Sequence, residues 1–428
     1  MTGPGHNHDV VIIGAGSVGV PAALFMAQAG LRVRVIDRYA SVGQGANKAA
    51  IGGVRATHSD IAKIRIGLKS IEILSTWEDT WGDNIEWHTG GYTFVAYEPR
   101  EERMLKDLLE VQHRYGLNID WLDREELLRA VPALEPEGLI GGTLSPEDGN
   151  ASPLLALHAM YARARALGAA FRFGETVTAI PVENGRVRGV ATDRARYDAP
   201  VVINAAGAHA RPIAQLAGLD VPVTPDAHEG GVTEAVARFL EPMVVDTRPM
   251  PGSANFYFYQ HHTGQVVFCI TPDPPIVGTD RRETSTFLPL VSRRMIDIMP
   301  RLQHIKVRRT WRGLYPMTPD GAPIVGWARE VEGFAHAAGM CGQGFMLGPG
   351  LGTFLARLVS GDLEEMVADG IRGLTSNPTI FQKAIAGSNA YDDAIRAALG
   401  MQYALDHLNR FELKDLQVKL QSGIGINF

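Results

Sequence analysis

Only two cysteines, Cys269 and Cys341, occur in 428 residues. They cannot build a disulfide framework, so a reducing compartment is the default. Positive charge is not concentrated either: 41 Lys and Arg stand against 47 Asp and Glu, the net charge is -6, and no basic run exists to follow a phosphate backbone. Nucleic acid is therefore not expected as a partner. No apolar run approaches the roughly 20 residues that cross a membrane, and Met1–His8 has neither a charged n-region nor an apolar h-region. The expected location is cytoplasmic. With 45% hydrophobic residues the chain can bury a large core, and its length suggests two or three domains.

The most informative stretch is Val10–Arg38, VVIIGAGSVGVPAALFMAQAGLRVRVIDR. An apolar run reads as a parallel strand buried on both faces, Gly14-Ala15-Gly16-Ser17-Val18-Gly19 follows, then an Ala-rich helix and a second strand ending on Asp37. Gly14 permits the tight turn, Gly16 lets a pyrophosphate approach the backbone, and Gly19 lets helix and strand pack closely. The helix amides face phosphate, and Asp37, about 20 residues on, can accept ribose hydroxyls. This order of parts points to a dinucleotide site. A glycine-rich loop follows, Ser41–Lys48 and then Ile51–His58, with few apolar anchors. It suits a flavin cover in which Lys48 or Arg55 faces charge on the reduced ring, and the plainer reading is a solvated surface loop.

Helical spacing runs from Ile61 to Trp81, from Glu101 to Tyr115, from Asp123 to Val131 and from Leu154 to Leu167, with Ile85–Ala96 alternating like a hairpin arm. Short strands are expected at Ala170–Phe173, Thr176–Val182 and Val187–Thr192, and a buried one at Pro200–Gly207. From Val221 to Arg309 the pattern becomes antiparallel sheet, most clearly in Asn255–Gln260 and Gln265–Ile270 about a turn at His261–Gly264. Tyr257 and Tyr259 share one face of that hairpin, Phe256 and Phe258 the other. The tyrosine face lines a substrate cavity or simply packs. His261 and His262, adjacent in the turn, are expected to point apart with no third ligand nearby, so no metal site is expected.

Two later stretches complete the pattern: Arg308–Gly326, containing Trp311-Arg312-Gly313-Leu314-Tyr315-Pro316, and Ala338–Gly350, containing Gly342-Gln343-Gly344-Phe345-Met346, which leads into a helix Leu351–Val359. The four stretches, in this order, resemble the FAD-dependent amino-acid and amine oxidoreductases of the D-amino-acid oxidase superfamily. Within it the chain is most similar to sarcosine oxidase beta subunits and the proline, dimethylglycine and glycine oxidising enzymes, over roughly the first 360 residues.

The resemblance implies an α/β fold: a Rossmann-like FAD-binding domain (1–85, 143–220 and 310–360) interleaved with an antiparallel α+β substrate domain (86–142 and 221–309), then a helical C-terminal appendage (361–428). It implies that Gly14, Gly16, Ser17, Val18, Gly19, Asp37 and Arg38 hold the ADP half, with Val177 meeting adenine through its backbone. Gln44, Gly45, Ala46, Asn47, Lys48, Gly53, Ala206, Gly207 and Gly313 are further cofactor contacts. Gly342, Gln343, Gly344, Phe345 and Met346 sit at the pyrimidine edge, with a helix dipole from near Gly348. The implied reaction moves a hydride from the carbon next to an amine to flavin N5, giving an imine that hydrolyses. The amine supplies the electron push, so a side-chain base is optional. His58, Tyr257, Tyr259, Arg312 and Tyr315 are the candidate catalytic residues.

The chain also departs from the family. Where glycine and D-amino-acid oxidases carry arginine in a GLRP motif to grip the substrate carboxylate, it has Gly313-Leu314-Tyr315-Pro316, and a neutral phenol cannot replace a bidentate guanidinium. The balance shifts towards secondary amines, and Arg312, Arg55 or Lys48 must supply the charge for an acid. Cys341 does not match the cysteine that tethers flavin in monomeric sarcosine oxidases, so FAD is expected to be non-covalent and Cys341 a packing residue.

Beyond Gly361, Asp369–Ile385 resembles the N-terminal signature of transaldolases, but the residues that remain are far short of the ~250 of a complete barrel. The segment reads as a fused or grafted island without that activity. The leading reading is a FAD-dependent oxidoreductase acting on the C–N bond of a small amino acid or N-alkyl amino acid, passing electrons to oxygen, a quinone or a protein. It acts as a homo-oligomer or within a hetero-oligomer. The alternatives are a FAD-carrying subunit of a heteromeric dehydrogenase with little activity alone, and an NAD-dependent dehydrogenase, which Gly342–Phe345 and the interleaved layout disfavour.

Overall fold

The structure, a computed structural model, describes residues 8–361. Strand β1 (Val10–Ile13), helix α1 (Gly19–Gln28) and strand β2 (Val33–Asp37) open the chain. β1 is apolar throughout because both of its faces are covered. Val10 and Ile12 join one buried cluster with residues of α1 and helices Ile61–Ser75, Pro153–Ala166 and Gly344–Ser360, while Val11 and Ile13 join another with Val202, Phe334 and Ala210.

β1 sits in a six-stranded sheet. Its neighbours are Val201–Asn204 on one side and β2 on the other, both parallel. Ala170–Phe173 extends the β2 side, and Phe334–Ala338 extends the other, with Ile324–Trp327 as an antiparallel edge.

The second sheet has eight strands in the order Val307–Met317, Thr224–Ala235, Gln265–Asp273, Gly252–Gln260, Met243–Asp246, Tyr92–Ala96, Gly141–Ser145 and Asp120–Asp123. It is antiparallel except where Met243–Asp246 runs parallel to Tyr92–Ala96. Phe256 and Phe258 pack into the apolar layer beneath, with Phe268 and helix Phe287–Ile298. Tyr257 and Tyr259 take the opposite face, as the alternation predicts. The α/β architecture, a Rossmann-like sheet interleaved in sequence with a mainly antiparallel one, is thus present.

Several expected boundaries move. Strands Gly141–Ser145 and Val307–Met317 belong to the large sheet, so boundaries at 143 and 310 fall inside strands. Only Tyr92–Ala96 of the expected hairpin arm from Ile85 is a strand, and the helical stretch ending at Trp81 breaks into Ile61–Ser75 and Trp77–Trp81. Helix Arg124–Ala130 is closed by a capping box, Asp123 Oδ1 accepting from the Glu126 amide at 2.9 Å and Glu126 Oε2 from the Asp123 amide at 3.0 Å. The helix expected from Leu351 begins at Gly344 and runs through Pro349. Its glycines let it lie close on α1: a side chain at Gly348 would strike Ser17 O, and one at Gly352 would strike the Pro21 backbone. The expected helical appendage and its transaldolase-like island lie outside the described residues. Among the described residues no helix is long and apolar enough to cross a membrane.

Candidate active site

The turn after β1 is shaped by close contacts. Gly14 has φ +112°, where an L side chain is strained, and a Cβ there would lie 2.4 Å from Ala205 O. A Cβ at Gly19 would strike Gly14 O. Gly16 differs, since no protein atom lies within 4 Å of its Cβ direction, and the same is true of Gly45 and Gly207. Asp37 fastens the turn: Oδ2 accepts from the Ala15 amide at 2.7 Å and Oδ1 from the Tyr39 amide at 2.8 Å. Burial raises its carboxyl above the ordinary range despite those two bonds. Arg38 Nη2 meets His209 Nε2 at 2.7 Å.

These groups line one continuous cavity of about 830 Å³ that also touches the large sheet. From the cofactor candidates it takes Gly14, Gly16, Ser17, Val18, Asp37, Arg38, Gly45, Ala46, Asn47, Gly53, Val177, Ala206, Gly207, Gly313 and Gly342–Met346. The N-terminus of helix Gly344–Ser360 therefore opens on the cavity, four residues earlier than the dipole was expected to begin. Gly342, at φ +81°, is fitted to Tyr315, whose ring lies 2.1 Å from where a Cβ would stand.

Across from the glycine turns, the large sheet contributes a polar wall. The hydroxyls of Tyr257 and Tyr315 meet at 2.7 Å. Tyr315 stacks on His228, ring centroids 3.7 Å apart and planes 16° apart. His228 Nε2 lies 3.2 Å from Asp226 Oδ2, while its Nδ1 is buried with no hydrogen-bond partner among the described residues. Burial holds both phenols well above their ordinary range and, as the main cause, pushes the neighbouring Cys269 thiol up to about 11, so all three are neutral.

Arg55 is a half-buried cation of the cavity, which Arg38 and Arg281 also line. Its Nη1 donates to Thr57 O and meets His58 Nδ1 at 3.2 Å, and its guanidinium lies over the Phe94 ring at 5.4 Å. No ion pair among the described residues includes it. Burial lowers its basicity from the usual guanidinium range. Asp148, behind it, accepts from the Ala56 amide at 3.0 Å and Thr57 Oγ1 at 2.8 Å, and burial pushes its carboxyl up to about 6.

Six candidates lie off the cavity lining. Gly19 serves helix packing. Lys48 points from a one-turn 3-10 helix to solvent, and the Gln44 side chain donates to Ser41 Oγ at 3.1 Å. Tyr259 donates its hydroxyl to Ile51 O at 2.6 Å, and Arg312 gives Nη1 to Arg282 O at 2.9 Å. His58 is buried behind Arg55, and burial holds its imidazole well below the ordinary range, hence uncharged. Cys341 does line the cavity, so it is more than a packing residue. Its Sγ contacts Gly339 O at 3.1 Å and Thr318 Oγ1 at 3.2 Å. Sequence reading missed His228, Asp226, Asn255 and Arg281. The signal for the first two was Asp226-x-His228, which alternation puts on one face of a strand.

Residues 9–358 match the family model described as FAD dependent oxidoreductase. The chain belongs to that family. Hydrogen cyanide synthase subunit HcnC of Pseudomonas aeruginosa is 29% identical over 280 residues, 65% of this chain and 65% of its own. Sarcosine oxidase subunit beta of Rhodobacter capsulatus is 24% identical over 390 residues, 90% of this chain and 92% of its own. Among solved structures, L-proline dehydrogenase from P. horikoshii superposes with TM-score 0.78 at 29% identity, covering 83% of this chain and 94% of that one. The chain thus spans slightly less than two thirds of the hydrogen cyanide synthase subunit and nearly all of the other two. Residues 358–421 separately match the Transaldolase/Fructose-6-phosphate aldolase model.

FAD is this family's cofactor, and the cavity fits it. Gly16, Gly45 and Gly207 leave open room at the points where a side chain would intrude on a bound dinucleotide. Gln343 Oε1 and Asn47 Oδ1, both on lining residues, are buried acceptors without partners among the described residues. A cofactor N–H or hydroxyl would satisfy them.

Proposed function

We propose that the protein oxidises the C–N bond of a small amino acid or secondary amine of the sarcosine, proline or glycine type, giving an imine that water hydrolyses. The observation that carries this reading is the half-buried Arg55 guanidinium, without an ion pair among the described residues, in a cavity shared with the glycine cradle. A buried charge without a counterion is costly, and a substrate carboxylate supplies one. The 29% identity to an L-proline dehydrogenase structure and the likeness to sarcosine oxidase subunit beta support the same substrate class.

Bound FAD supplies a two-electron acceptor at N5 for the hydride leaving the substrate carbon. The chain's own residues do the rest. Gly14–Val18 and Asp37 are assigned to the ADP half, and Gly342–Met346 to the pyrimidine edge. Arg55 is assigned to the carboxylate, with His58 and Phe94 fixing its plane. Tyr257 and Tyr315 are neutral, so they orient substrate by hydrogen bonding and do not take its proton. We assign that step to His228: with Nε2–H donated to Asp226, the unpartnered Nδ1 is the lone pair left for the proton a substrate ammonium must shed before its nitrogen can push, once substrate binding uncovers it. Non-covalent FAD belongs to the same reading, since the Cys341 thiol is already engaged by Gly339 O and Thr318.

The test is anaerobic. The flavin-loaded protein is mixed with sarcosine, L-proline, D-proline and glycine in turn while the band near 450 nm, common to oxidised flavoproteins, is followed. Bleaching by one of them supports the proposal and names its class; bleaching by none sinks it. A second reading, a FAD-carrying subunit of a heteromeric enzyme, is favoured by the two relatives that are themselves named as subunits. Activity that appears only with co-purified partner chains would favour it.

A further inference from the structure

The hairpin Gly252–Gln260 and Gln265–Asp273 turns at His261–Gly264, and here the expectation of divergent histidines fails. The His261 and His262 rings lie 4.1 Å apart, centroid to centroid. The loop before strand Tyr92–Ala96 brings Glu86 to both. Nε2 of His261 is 3.7 Å from one carboxylate oxygen of Glu86, and Nε2 of His262 is 3.9 Å from the other. One donor atom from each of the three falls within a set no wider than 4.8 Å. None of the three lines the oxidoreductase cavity.

We propose that Glu86, His261 and His262 bind one divalent transition-metal ion of the zinc class. Two imidazoles and a carboxylate are a donor set for zinc that leaves a fourth position for water. Tetrahedral donors about 2.0–2.2 Å from an ion stand roughly 3.3–3.5 Å from one another, so a set no wider than 4.8 Å has to close by at most about 1.5 Å, a movement within reach of side-chain rotation.

The surrounding bonds prepare the donors. Thr263 directs its hydroxyl proton to Gln265 Oε1, so its oxygen accepts from His261 Nδ1–H at 2.6 Å. That contact outweighs the 3.4 Å approach of the Thr263 amide to the same nitrogen. It leaves the Nε2 lone pair of His261 turned towards Glu86, the outer-shell arrangement that orients histidine ligands. Glu86 itself adopts φ +58°, uncommon for a residue with a Cβ, and its amide donates to Asn84 Oδ1 at 2.7 Å. The nearby cation Arg238 is paired with Glu241 at 2.8 Å and meets His88 at 3.1 Å, so its charge is largely neutralised by its own partner. An ion here would tie the hairpin turn to the 82–88 loop.

The test is calorimetric titration of zinc chloride into the flavin-loaded full-length chain and its H261A, H262A, E86Q, T263V and H88A variants. The parent and H88A should bind one equivalent in the micromolar range or tighter. H261A, H262A and E86Q should each bind at least about tenfold more weakly, and T263V roughly 10–100-fold more weakly. Saturating zinc should raise the melting temperature of the parent and not of E86Q, while zinc-free melting of the two coincides, which separates a lost ligand from a lost fold. If zinc does not bind the parent, binds all three ligand variants equally well, or is lost only in H88A, the assignment is overturned.

Discussion

The Tyr315 ring lies flat on the His228 imidazole, centroids 3.7 Å apart and 16° from parallel. By the resemblance this position is one where glycine and D-amino-acid oxidases carry an arginine, and here the tyrosine instead walls in the imidazole whose other edge is held by Asp226. If His228 takes the substrate proton, H228N should slow anaerobic flavin reduction on the order of a hundredfold. Stopped-flow traces at 450 nm across pH 6–10 would show it, and an unchanged rate would remove His228 from the chemistry.

Arg55 should decide the preference for acids. R55M is expected to lower kcat/KM for a carboxylate-bearing substrate by about a hundredfold or more, mainly through KM, and to cost little with an amine that has no carboxylate. R55K should rescue only part of the loss, because an ammonium cannot reproduce the fork. Equal losses on both substrates would mean that Arg55 serves the fold instead.

Asp148 gives a pH prediction with a definite sign. Its folded carboxyl titrates at about 6 against 3.8 for the free group. The folded state therefore keeps a proton that the unfolded chain releases, and the stability this group contributes is full below about pH 4 and lost as pH rises to about 6. The loss is about 3 kcal/mol at most. In denaturant titrations at pH 4, 5, 6 and 7, D148N should gain on the parent by up to that amount across the window. A constant offset would refute the assignment.

Two glycines should fail differently. G14A places a Cβ 2.4 Å from Ala205 O at φ +112°, and should cost roughly 2–4 kcal/mol of fold stability. G16V fills space that no protein atom occupies, so the apoprotein should melt as the parent apoprotein does and purify without the 450 nm band. A yellow G16V would place the cofactor elsewhere.

Flavin attachment is checked by acid precipitation. The parent and C341A should both release all their FAD into the supernatant; yellow pellets from the parent alone would show a covalent link through Cys341.

How much of this was legible in the sequence follows from how far apart the interacting residues lie. Gly14, Gly16, Gly19 and Asp37 belong to one local unit whose roles follow from spacing, and the face shared by Tyr257 and Tyr259 follows from alternation. Which cation enters the cavity did not follow, because Arg55, Arg312 and Lys48 are separated by the chain and only the fold brings the 274–286 loop, with Arg282 O, to Arg312. The role of Tyr259 was hidden for the same reason, its partner Ile51 O lying in another element. Helix Gly344–Ser360 was misplaced because glycines and Pro349 argue locally against helix, whereas close docking on α1 demands residues that small. That the turn histidines lie together beside Glu86 was hidden because Glu86 comes from a loop far away in sequence.

Strand β1 is the first of the described strands to be made, and its sheet is completed late. One of its two neighbours is β2, but the other is Val201–Asn204, and the strand beyond that is Phe334–Ala338. At ~5–20 residues per second, a ribosome takes roughly 10–40 s to travel from residue 13 to residue 204. For that interval one apolar edge of β1 has no strand to pair with, an exposed template for pairing with another chain. The cavity lining is complete only once synthesis reaches Met346.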